Sequence, residues 1–291
     1  MNNRIYLILV LLLSGFAYPS FVSANQLLDS TLIEDEKRIS QLVAELIEIR
    51  FDNEKLDKLS KQIVDDFGNV LKKDGAFEYP FDSIYPMGKV VSDDGLVKIF
   101  TWFAVRADGS HTHFGFIQYY SKSKKKVLLF PLIDKSDEIV EPETQSLSDK
   151  EWFGATYYQI VQSKSSYGTL YVLLGWDGNT IYTNKKVIES LVFSESGHPK
   201  FGKPVFASGK SKVKRIIFEY SRMASMMLIY DTKFNMIVMD HLSPSSPVYN
   251  GDYQFYGPDL SFDALKFEDG LWIYESAIDY KPITKKRLFK K

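Results

Sequence analysis

Four Asp-Gly pairs punctuate the chain after residue 80, and this punctuation constrains the fold more than any other feature. They are Asp94-Gly95, Asp108-Gly109, Asp177-Gly178 and Asp269-Gly270, each beside short runs of alternating apolar residues. An Asp-Gly pair supplies positive φ at little cost and is the strongest short-range hairpin signal. The flanking runs predict strands over 87–92, 96–105, 111–120, 127–133, 169–176, 215–220, 226–231, 236–241, 265–267 and 272–274. About a dozen strands joined by short turns leave no room for crossover helices. The expected fold is therefore mainly β, with antiparallel hairpin and meander sheets. A partial propeller, a sandwich and an irregular barrel all satisfy this pattern.

Before residue 80 the period is 3.6 instead of 2. Ile39, Leu42, Val43, Leu46 and Ile47 recur at three and four, as do Leu56, Leu59, Ile63, Phe67, Val70 and Leu71. Two amphipathic helices follow, close enough in sequence to form an N-terminal α-helical hairpin. Thr31 with Glu34 has capping-box spacing, and Asp52 or Asn53 can cap the second helix. Gly75 is placed to stop it.

The first residues carry a third pattern. Arg4 precedes the apolar run Ile5 to Leu13, and Val22-Ser23-Ala24 supplies the small residues of a cleavage site. This matches a secretory signal peptide over 1–24; the run is shorter than the ~20 residues that span a bilayer. Export to the periplasm or surface of a bacterium is expected. The chain has no cysteine, which excludes disulfides and an N-terminal lipid anchor. The remaining divisions are the helical hairpin (25–78), a first β meander (79–133), an acidic, proline-broken linker loop (134–150), a second β meander (151–280) and a basic tail (281–291).

Net charge is −1, so a clustered basic face for nucleic acid is not expected outside the tail. No later segment is apolar enough for a transmembrane helix. Cofactor patterns are absent. No Gly-x-Ser-x-Gly elbow occurs, and a cysteine nucleophile is impossible.

What remains is aromatic. Tyr, Phe and Trp make up 15% of the chain, and one stretch concentrates them beside acids. Between 249 and 263, Tyr253 and Tyr256 interleave with Asp259 and Asp263 around Gly257-Pro258. Rings beside carboxylates suit sugar binding; paired carboxylates also suit glycoside hydrolysis, which needs them about 5 Å or about 6.5–9.5 Å apart. The same residues equally describe an aromatic-pinned loop that only packs. Asp240-His241 ends a strand just before, its neighbours pointing to opposite faces. Trp176-Asp177 opens a turn that supplies too few oxygens for calcium. His111 and His113 share one strand face and are weak candidates as metal ligands, the alternative being two polar residues on a solvent face.

Several segments together carry a resemblance: 175–179 (Gly-Trp-Asp-Gly-Asn), 201–206, 215–220, Asp240-His241-Leu242 and 256–259. Through them the chain resembles a family of exported, β-rich proteins of the Bacteroidetes that carries no assigned function. The resemblance implies a periplasmic or surface location and carries over no catalytic residue. The expectation is an exported, non-enzymatic binding or structural protein with a glycan or a cell-envelope protein as partner. A carbohydrate-active hydrolase is the alternative.

Overall fold

A computed structural model describes residues 24–281, with side chains from Ser30 onward; the expected signal peptide (1–24) and the basic tail (281–291) lie outside the described residues except for Ala24 and Lys281. Helices α1 (Ala24–Glu48) and α2 (Asn53–Val70) come first. The strands are β1 (Gly88–Val91), β2 (Val97–Val105), β3 (His111–Ser121), β4 (Lys126–Ile133), β5 (Leu147–Ser148), β6 (Thr156–Ser165), β7 (Gly168–Asp177) and β8 (Thr183–Phe193). They continue as β9 (Pro199–Phe201), β10 (Phe206–Ser208), β11 (Ser211–Val213), β12 (Arg215–Ser221), β13 (Leu228–Asp231), β14 (Met236–Pro244), β15 (Tyr256–Glu268) and β16 (Leu271–Ile278).

The strands form three open sheets. The first is ordered β1-β2-β3-β4; the second β5-β9-β8-β7-β6, with β12 also on β8; the third β11-β10-β16-β15-β14-β13. The layers stack as helices, first sheet, second sheet, third sheet. Ile39, Val43, Ile63 and Phe67 pack on Phe100, Trp102 and Phe116 of the first sheet. That sheet's other face, with Val97, Ile99 and Ile117, meets Tyr157, Leu173 and Val187 of the second. The second sheet turns Val172, Leu174 and Ile188 toward Ile237, Leu265 and Trp272 of the third. The second sheet is thus apolar on both faces, which explains why 170–174 reads as a continuous hydrophobic run. Gly88 lets the layers approach: a Cβ there would lie 2.5 Å from the carbonyl oxygen of Tyr157.

The helices form as their stripes require. Asp52 caps α2, accepting from the Lys55 N–H. Buried Glu36 of α1 accepts from the Tyr79 hydroxyl (2.7 Å) and the Ser83 N–H (2.6 Å), tying the helix to the first strand's approach. Phe67 stands edge-on to Phe81, Phe100 and Phe116, with centroids 5.2–5.9 Å away.

Three local expectations are corrected. Thr31 and Glu34 do not open a helix, because α1 already runs from Ala24; Gln26, Leu27 and Leu28 are good helix formers without a breaker. Asp177-Gly178 is not a tight hairpin turn: Asn179 takes the positive φ of 46°, within a five-residue connection. By contrast Asp269 and Gly270, at φ 48° and 82°, form the two-residue turn that the pair predicts. Finally, β10 pairs β16 in parallel over Phe206↔Trp272 and Ala207↔Ile273. Some sixty residues separate these two strands, so no short turn holds them antiparallel.

Candidate functional site

The outer edge of β12 organises a cleft. Arg215 is buried at the start of that strand, paired with Glu189 of β8 and donating to the Pro142 carbonyl. This contact lays the 136–144 loop along the second sheet. Glu143 then takes the place of a neighbouring strand: its carbonyl accepts from Lys214 N–H (2.8 Å) and its Oε1 from Ile217 N–H (3.2 Å). An edge strand's free N–H groups are a liability, and here one loop residue occupies that of Ile217 in β12 and that of Lys214 just before it.

Across from this loop stands Tyr253, 45% exposed. Between them opens a cleft of about 490 Å³, with Phe153 and Ile217 among its apolar walls and Glu143, Glu219 and Lys185 among its polar ones. Glu219 is held in place by the Thr183 hydroxyl (2.7 Å) and the Asn179 side-chain amide (3.1 Å), and Lys185 Nζ donates to Asn179 Oδ1 (2.8 Å). Asn179 therefore sets both charges. The size and the mix of apolar walls with few oriented polar groups match small-molecule sites. The ring offers a stacking face, the carboxylates accept, and the ammonium donates.

The residues nominated from sequence divide among three places. Tyr253 lines this cleft. Trp176 and Asp177 border it only indirectly: Asp177 Oδ1 accepts from Asn179 N–H (2.8 Å) and so shapes the turn that presents Asn179. Trp176 packs on Phe103 and His111, with centroids 5.4 and 5.7 Å away.

His111 and His113 belong to this same interior and not to a solvent face. His113 is buried between Asp134 (Nδ1 to Oδ2, 3.4 Å) and Asp177 (Nε2 to Oδ1, 3.6 Å), one carboxylate from each of two stacked sheets. Burial pushes the Asp177 carboxyl up and holds the His111 imidazole down at about 4. Among the described residues, no group of three or more His, Asp or Glu is arranged to hold a metal ion.

Asp240, His241, Asp259 and Asp263 gather on the third sheet, at two β-bulges that interrupt β14 between Asp240 and Leu242 and β15–β16 pairing between Phe262 and Ala264. His241 Nδ1 lies 2.8 Å from Asp263 Oδ2, which also accepts from the Tyr274 hydroxyl (2.6 Å). Asp263 Oδ1 accepts from Ala277 N–H (3.0 Å). The hydrogen bond to Asp263 raises the His241 imidazole; burial works against the Asp263 charge, yet the bonds from Tyr274, His241 and Ala277 leave that carboxyl below its usual range. Asp240 faces elsewhere, accepting from Met227 N–H (2.6 Å), and Asp259 is exposed and bonded to Ser261. Tyr256 is used within its own loop, bonded to Asn250 and Gly251 and packed on Tyr253, its centroid 5.1 Å away.

Of the residues nominated from sequence only Tyr253 lines the cleft; Glu143, Lys185 and Phe153 of the cleft, and Tyr274 beside Asp263, were missed. The one available signal was the acidic 134–150 segment, which reads as a linker and in fact supplies a cleft wall. No protein-family model, curated protein or solved structure matches the chain.

Proposed function

We propose that the chain is an exported, non-enzymatic binding protein that takes a small hydroxyl-rich molecule of the glycan class in the cleft between the 136–144 loop and Tyr253. One observation carries the reading: an exposed tyrosine ring faces oriented carboxylates and an ammonium across a cavity of ligand size. A sugar presents an apolar C–H face to a ring and hydroxyls to charged acceptors and donors. The export half of the reading is supported by the Arg4, Ile5–Leu13 and Val22-Ser23-Ala24 pattern.

Binding is favoured over hydrolysis because the acids of the 249–263 segment are committed elsewhere. Asp263 spends both oxygens on His241, Tyr274 and Ala277, and Asp259 is held by Ser261. Calorimetric titration of the protein with mono- and oligosaccharides tests the reading. A bound sugar is expected, with affinity falling at least about tenfold in Tyr253→Ala, as expected for losing ~1.4 kcal/mol of ring contact. Release of a shortened sugar would move the protein to the hydrolase class, and affinity indifferent to Tyr253 would remove the cleft from consideration. Mass spectrometry of the exported chain is expected to find Asn25 at its start.

A further inference from the structure

A second cavity lies on the opposite face of the same strand. It is an open cleft of about 270 Å³ between the second and third sheets, lined mainly by apolar groups of Phe206, Val213, Ile216, Phe218 and Leu265. Successive residues of β12 alternate between the two cavities. Ile216 and Phe218 face the apolar one, Ile217 and Glu219 the polar one. Glu143, at the strand's edge, lines both. Two cavities of opposite character therefore share a rim, separated by the thickness of one strand.

We propose that the natural ligand is a single amphiphile, a hydroxylated head in the polar cleft joined to an apolar tail that bends around the β12 edge past Glu143 into the cavity between the second and third sheets. This inference rests on the polar-cleft reading and adds the tail. Scaling from the ~150 Å³ that holds benzene, the apolar cavity takes about ten carbon atoms. Glu143 is a carboxylate, and no Lys, Arg or His is among the residues lining the apolar cavity, so the tail carries no carboxylate or phosphate of its own. The cavity's far wall is the short β10–β11 hairpin, joined to the third sheet through the two-residue parallel pairing with β16.

The test is a titration series with methyl, butyl, hexyl and octyl β-D-glucosides below their micelle concentrations, with 1-hexanol as a headless probe. Each buried methylene is worth up to about fourfold in affinity, and about twofold in a half-open cleft. Methyl to hexyl is therefore expected to gain at least ~30-fold. The gain should vanish in Ser211→Trp, which fills the cavity from an exposed position, and in Ala207→Leu, which fills it from the strand; methyl glucoside binding should survive in both. A flat series in which methyl glucoside binds as well as octyl overturns the tail and leaves the polar-cleft reading standing. A rise that persists in both filled variants also overturns it, since the tail then lies elsewhere. Hexanol binding that disappears in Ser211→Trp, without any glucoside binding more tightly than hexanol, overturns the joined ligand and the polar-cleft reading together.

Discussion

Replacing Arg215 by methionine should destabilise the protein far more than replacing Arg215 and Glu189 together. Both side chains are fully buried and ion-paired across β12 and β8. The pair anchors a longer network: Trp152 Nε1–H donates to the Tyr157 hydroxyl (2.8 Å), which donates to Glu189 Oε2 (2.6 Å), and Arg215 donates to Pro142 O. Burial already lowers the guanidinium to about 10. Arg215→Met leaves a buried carboxylate with only a tyrosine partner, and Glu189→Leu leaves a buried guanidinium facing Phe153; each should cost about 3–5 kcal/mol. The double variant Arg215→Met/Glu189→Leu removes both charges. It strands the Tyr157 hydroxyl and the Pro142 carbonyl, so its cost should be only about 1–3 kcal/mol. Urea unfolding followed by tryptophan fluorescence measures all three, and Trp152 sits in the network. At about 2–4 °C per kcal/mol for a chain of this size, the single variants should also lose roughly 6–20 °C in Tm. Strictly additive single and double variants, or single costs under ~1 kcal/mol, would refute the view that this pair is an interlocked buried charge pair. Arg215→Met should in addition weaken the proposed sugar binding, because Pro142 leads the loop that carries Glu143.

Other expectations come from the packed interior and from the bulged pair. In Gly178→Ala the new Cβ would lie 2.1 Å from His111 Nε2, and the ring is packed against Phe103 and Trp176; a loss of about 1–3 kcal/mol in unfolding free energy, read from denaturant titration, is expected, and unchanged stability would contradict the close approach. His111 has a folded pKa of about 4 against an ordinary 6.5. The unfolded chain therefore binds the proton first, and stability should fall between pH 6.5 and 4 by up to about 3 kcal/mol more in the native protein than in His111→Phe; parallel pH profiles would argue against a buried neutral ring. For His241 the sign is opposite. Its raised pKa makes its contribution full below 6.5 and lost as pH climbs through the raised value, whereas depressed Asp263 contributes above 3.8 and fades on acidification. NMR titration should place His241 above 6.5 and return it toward that value in Asp263→Asn; a midpoint indifferent to the substitution would dissolve the pair.

The helices and the hairpins were legible because their signals are local. Asp52 caps α2 and Asp269-Gly270 turns β15 into β16 through groups a few residues apart. β8 was not legible: Lys185, Lys186 and Glu189 break its apolar rhythm, and Glu189 is tolerated only because Arg215, 26 residues on, neutralises it. His111 and His113 read as solvent-facing for the same reason, since the two carboxylates at His113 are distant in sequence, Asp134 just past the neighbouring strand β4 and Asp177 from the second sheet. Within the candidate site, Tyr253 stood out by composition. Glu143 did not, because its role depends on a backbone edge that exists only once β12 has paired with β8. The His241–Asp263 contact was likewise hidden, His241's sequence neighbour Asp240 being the wrong acid and its true partner lying 22 residues away.

The second sheet has no solvent-facing side, and this should govern how the molecule exchanges hydrogen with heavy water. Amides of β7 and β8 such as Leu173 and Ile188 cannot open by fraying from a surface, because a neighbouring layer must first lift away. They should report the free energy of global unfolding, while the β10–β11 hairpin exchanges through cheap local opening. A protein built this way has a slow-exchanging centre flanked by layers free to loosen independently, with the two clefts of β12 at its margins.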